Sequence, residues 1–218
     1  MSLPIFPAFY ALVSVATLWL ALLWLVARLD STRFALPLKV ACGLATPLLL
    51  FVPVGGLPLW SSAFSFFPNP SLPILGMVSA ALCRRLFGVA LFKPADWRAT
   101  WIFGAIAGSV LYLHPVWFRS LDLYYWGWDR EGAAWCLAAL AVVFLAWGNR
   151  LGVLLLGTLI AYSIDALESA NCWDYLVDPL YWLISVGVAA TWVIKWCLAR
   201  RRRIRGCAGS LPGTAETH

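Results

Sequence analysis

The sequence predicts an all-α integral membrane protein, a bundle of about seven transmembrane helices with its N-terminus outside and its C-terminus in the cytoplasm. Three observations carry this. Of 218 residues, 62% are hydrophobic and only 12% are charged, whereas a water-wetted domain carries about 25% charged residues. The mean hydropathy is +0.82, and the apolar residues fall into runs near the roughly 20 that cross about 30 Å of hydrocarbon. The basic residues, finally, lie almost wholly on one side of those runs. The same composition excludes a disordered chain, a nucleic-acid module and a secreted disulfide scaffold. The net charge of +6 and pI near 9.2 therefore read as membrane orientation, and no nucleic-acid partner is expected.

The first run, 4–27, ends at Arg28, Asp30 and Arg33. Its start, Met-Ser-Leu-Pro, lacks the basic region of a secretory signal, so a retained helix is expected. Runs follow at 36–54, 72–92, 99–118, 132–147, 151–169 and 179–198. The third is the weakest, because Arg84 and Arg85 interrupt it and Pro68, Pro70 and Pro73 break its approach. It is kinked, or its arginines snorkel to the interface; if 72–92 is instead re-entrant, six spans remain.

Charge favours seven. With the N-terminus outside, every basic residue except Arg119 and Arg130 falls on the inner side, as the positive-inside rule asks. Asp122, Asp129, Glu131, Asp165, Glu168, Asp174 and Asp178 fall outside. Six spans with the same inner tail would strand Arg28, Arg33 and Lys39 on the wrong face. Residues 1–199 thus read as one transmembrane domain and 200–218 as a basic, disordered cytoplasmic tail. Its Arg200, Arg201, Arg202, Arg203 and Arg205 suit anionic lipid headgroups, with a contact to a partner as the alternative. No N-x-[ST] acceptor occurs, which points to a bacterial inner membrane. No repeat of about 20–50 residues is evident.

Most membrane chemistries lack their residues. His114 and His218 are the only histidines, too few for di-iron or bis-histidine haem. No framed nucleophile, Walker loop or H-E-x-x-H is present. The six cysteines form no C-x-x-C pair; neither a disulfide framework nor a metal site is expected, and no cofactor. Lys195 lies too near the end of its run for a Schiff base. The stretch Lys93-Pro94 through Trp97, Trp101, Phe103-Gly104 and Leu111-Tyr112 is faintly similar to about twenty residues of the tryptophan-rich translocator protein family. It lacks that family's proline pair, the span number differs, and no role is carried over.

The outer face holds the candidate residues. Run 151–169 reaches Asp165 while still short of the outer boundary, and Glu168 follows at i+3, with Tyr162 one turn before. Paired carboxylates below an interface raise each other's pKa, which suits proton exchange, cation binding or general acid work. If the helix stops near Ser163, the acids sit in water instead. Asp178-Pro179 reads as an N-cap with proline at the first helical position. Trp173, Asp174 and Tyr175 read as an aromatic belt, or as rings that stack on a sugar or clasp a cation. His114 is a candidate proton relay. Asp129 and Glu131 are further candidates for substrate binding or proton coupling, with neutralisation of Arg130 between them as the alternative. The loop 55–70 is too apolar to be free and is expected to lie on the membrane or cap the bundle.

Three function classes follow. The first binds or carries a small cationic, polar or lipid-linked solute, with Asp165 and Glu168 coordinating and Tyr162, Trp173, Asp174 and Tyr175 as the wall. The second is a membrane-embedded enzyme acting on a lipid or polyprenyl-linked substrate at the outer leaflet through a carboxylate. The third is an accessory subunit seating a partner membrane protein.

Overall fold

A computed structural model of the chain describes residues 70–117, 123–167 and 169–208, the segment 50–59, and positions 19, 20, 45, 48, 61 and 65. Most of the expected spans 4–27 and 36–54, and the end of the tail, lie outside the described residues. What is described is mostly helical: α1 (Leu72–Phe87), α2 (Pro94–Trp117), α3 (Leu123–Trp126), α4 (Arg130–Ala146), α5 (Leu151–Ser163), α6 (Cys172–Leu176) and α7 (Pro179–Ala208). The all-α expectation needs one small correction. Pro53–Val54 (β1) and Leu57–Pro58 (β2) pair antiparallel, because Gly55 and Gly56 supply the positive φ of a two-residue hairpin turn.

Among the described residues, one helix is both long and apolar enough to cross a membrane: the first 22 residues of α7, Pro179–Arg200, with mean hydropathy 1.6. The expected runs 72–92, 132–147 and 151–169 give helices of 16, 17 and 13 residues. Run 72–92 stops at Phe87 because Gly88 takes a left-handed conformation, φ 71°, the usual helix stop. Run 151–169 stops at Ser163, and Asp165 turns the chain with φ 50°. The Ala166 amide donates back to Ala161 O at 2.9 Å, so Ala166 and Leu167 enter the core, 4% and 1% exposed. Helix α7 runs on to Ala208, so the expected disordered tail begins as helix; arginine is a good helix former.

The core centres on α5, whose Leu151 and Leu155 are fully buried; it packs on α4 and α1. Helix α2 packs along α7, and glycines set how closely. A Cβ on Gly108 would stand 2.5–2.7 Å from Cδ1, Cγ and Cβ of Trp182, and one on Gly104 2.6 Å from the Tyr181 ring. The G-x-x-x-G spacing puts both on one face, a notch for close helix approach. Hydrogen bonds fix the register: Tyr181 Oη donates to Thr100 O at 2.6 Å, and Trp182 Nε1 to Ser109 Oγ at 3.1 Å.

Two buried aspartates tie helix ends together. Asp178 accepts the Tyr181 amide at 2.8 Å, the expected cap, and also the Ser71 amide at 2.8 Å, joining α7 to the start of α1. Asp96 does the same in another place, accepting Lys93 N at 2.8 Å and Arg150 N at 3.1 Å. It binds the first turn of α2 to the turn between α4 and α5. Each carboxylate thus satisfies two amides that have no partner within their own helix.

Candidate functional site

At one end of the bundle, short helices α3 and α6 dock on each other through backbone groups. Fully buried Asn171 caps α6, its Oδ1 accepting the Trp173 amide at 2.9 Å. Its Nδ2 donates to Tyr124 O at 3.0 Å. The Cys172 amide donates to Gly127 O at 2.9 Å, and Trp173 Nε1 to Leu123 O at 2.8 Å. A Cβ on Gly127 would collide with Asn171 Oδ1 and Trp173 Cδ1, so only glycine lets the two pieces meet.

The expected site residues are distributed through this end rather than gathered. Tyr175 is fully buried; its hydroxyl accepts from Leu167 N at 3.0 Å and donates to Leu167 O at 3.1 Å, pinning the segment after α5. The Tyr162 ring, also buried, meets Tyr175 edge-on at 5.3 Å. Asp165 has left the helix, so the expected shared helical face does not extend to it. It pairs with Arg130, whose guanidinium lies 5.7 Å over Tyr162. Both side chains of this pair are more than half exposed, which leaves it worth about 0–1 kcal/mol. Glu168 lies outside the described residues, as does the side chain of His114. Asp129 is the N-cap of α4, accepting the Gly132 amide at 3.3 Å, and Glu131 stands in that helix's first turn, where a negative charge suits the dipole.

Asp174 accepts the Tyr124 hydroxyl at 3.3 and 3.4 Å. Partial burial, then the Asp174 charge, raise the Tyr124 pKa, so this phenol remains a donor. Exposed Tyr125, Trp126 and Trp128 continue the aromatic surface.

Beneath the α3–α6 layer lies a cavity of about 150 Å³. Phe103 and Ala107 of α2, Ala133 of α4 and Trp173 of α6 are among its walls, with the thiols of Cys136 and Cys172. Burial, and secondarily the neighbouring Cys136, push the Cys172 thiol up to about 11. At neutral pH burial therefore favours the neutral thiol over the thiolate. Alkylation of Cys172 in the folded protein, followed by peptide mass spectrometry, should therefore keep accelerating through pH 10; after unfolding it should level off above an ordinary midpoint near 9. The sign for stability is the same: the neutral thiol is favoured by folding, so this contribution fades as pH rises from 9 to about 11. A folded-state plateau near pH 9 would contradict the burial of this thiol. Among the described residues, no three His, Cys, Asp or Glu side chains converge as a metal set would.

Sequence reasoning missed Asn171, Gly127, Arg130 as the partner of Asp165, Asp96 and the cavity. Asn171-Cys172-Trp173 carries a readable cap signal; the cavity has none, since its walls come from residues as far apart as Phe103 and Leu176. Compared with known proteins, the chain matches no family model, no curated protein and no solved structure.

Proposed function

We propose that this is a seven-span protein of a bacterial inner membrane, N-terminus outside, which binds a lipid-linked polar solute at its extracytoplasmic end. The membrane setting rests on composition, on the one-sided basic residues and on the α7 span. The observation that carries the ligand class is the apolar cavity lying against a polar, aromatic layer. Trp126, Cys172 and Trp173 belong to both, and Arg130, Asp165, Tyr124 and Asp174 supply the polar groups. An apolar slot beside a polar layer suits an amphiphile better than a free cation. Asp165 already has a cationic partner, which weakens the small-cation reading.

The test is ligand-dependent stabilisation of the full chain in mild detergent. A polyprenyl phosphate or phosphatidylglycerol at about 100 times its Kd should add about 2.7 kcal/mol, a rise in Tm of about 5–10 °C. Sodium, choline and spermidine should add nothing. Stabilisation by these cations, with none by either amphiphile, would overturn the reading.

A further inference from the structure

The cavity has a floor and an opening that differ in exposure. Leu137, Cys172 and Leu176 are 2%, 5% and 5% exposed and form the floor; Trp126 and Leu140 are 52% and 41% exposed, and Cys136 beside them is exposed too. Cys136 and Leu140 are four residues apart on α4 and so share one flank of it. Among the described residues, the cavity therefore opens along the flank of α4, not onto the layer of Arg130, Asp165 and Asp174.

Its walls offer water little. The Trp173 indole N–H is committed to Leu123 O, and the remaining named lining groups are hydrocarbon, aromatic or thiol. A buried water needs two to four polar partners, which these walls do not supply, and about 150 Å³ is room for a guest of benzene's bulk. A helix, about 10 Å across, cannot enter; a flexible hydrocarbon chain can. We infer that this cavity holds a segment of one hydrocarbon chain of a membrane amphiphile, admitted sideways between α3 and α4. The inference deepens the reading above and rests on its membrane setting, but not on headgroup recognition.

The experiment uses the full chain in proteoliposomes of phosphatidylethanolamine and phosphatidylglycerol. They are doped with phosphatidylcholine carrying a diazirine in the distal half of one acyl chain. Illumination and peptide mapping should place label on Leu137 and Leu176 as well as on the exposed α7 residues Leu183 and Val193. Ala133→Phe, which fills the cavity from α4, should cut label at Leu137 and Leu176 at least fivefold and leave Leu183 and Val193 unchanged. Ala107→Leu does the same from α2 and guards against a variant that folds poorly. In the wild-type protein, moving the diazirine to the headgroup should abolish label at Leu137. Label at Leu137 and Leu176 no higher than without illumination, or undiminished by both filled variants, would overturn the proposal. Equal labelling by a diazirine alkane lacking any headgroup supports the cavity while removing support for a lipid-linked solute, so the two readings fail separately.

Discussion

Replacing Asp178 by alanine should lower stability by about 2–4 kcal/mol, more than the loss of a helix cap alone, about 0.5–2 kcal/mol. The carboxylate is 4% exposed and accepts two amides at 2.8 Å, one from α7 and one from the start of α1. Its removal leaves the Ser71 and Tyr181 N–H groups buried without that acceptor, and each such group costs about 1–3 kcal/mol. Asp178→Asn should fall between, since its amide oxygen can still accept from one of the two while its NH₂ group faces the other donor. The midpoint of unfolding in a graded mixture of sodium dodecyl sulfate and mild detergent, followed by circular dichroism, measures this. An alanine variant with the wild-type midpoint would show that Asp178 holds neither helix end.

A Gly104→Ala, Gly108→Ala double variant should be destabilised by about 2–5 kcal/mol, each new methyl in a packed contact costing about 1–3 kcal/mol and the two being coupled. At Gly108 the added carbon meets Trp182 at 2.5–2.7 Å, including its Cβ. A Cβ cannot swing aside, so α7 itself must move. At Gly104 the obstacles are Ser185 Oγ and the Tyr181 ring, the ring tethered by its hydroxyl to Thr100 O. Gly187→Ala on α7 is the control, having nothing within 4 Å; it should be neutral or gain up to about 1 kcal/mol from better helix propensity. If the double variant and the control melt alike, the notch does not set the distance between α2 and α7.

These two positions differ in how readable they were. Asp178-Pro179 announces a helix start by residue type alone, and the structure has it; the second amide, from Ser71, is a tertiary fact that no local pattern carries. Gly104 and Gly108 show the spacing of a close helix contact, yet only Tyr181 and Trp182 opposite them give it meaning. Most helices begin within a few residues of the expected runs, because apolar runs and prolines are local signals. A stop of α5 near Ser163 was one of the two expected readings, and the helix does end there; the fold-back that follows it was not legible. Ala166 and Leu167 continue an apolar pattern that suits a helix as well as a folded-back segment, and contact with Tyr175 decided for the latter. Asp165, thereby released from the helix, found Arg130. Of the expected wall, Trp173 and Asp174 do line or edge the end layer, while Tyr162 and Tyr175 serve as packing beneath it.

The bond between Ser71 and Asp178 spans 107 residues, and this imposes an order on biogenesis. Helix α1 leaves the ribosome long before its N-terminal clasp has been synthesised. Until Asp178 emerges, the Ser71 amide must find another acceptor, so α1 cannot be locked in place early. A nascent chain cut short before α7 lacks the clasp and leaves the Ser71 amide without that acceptor. The clasp at Ser71 thus forms only after translation has run past residue 178, so α7 holds the start of a helix made long before it.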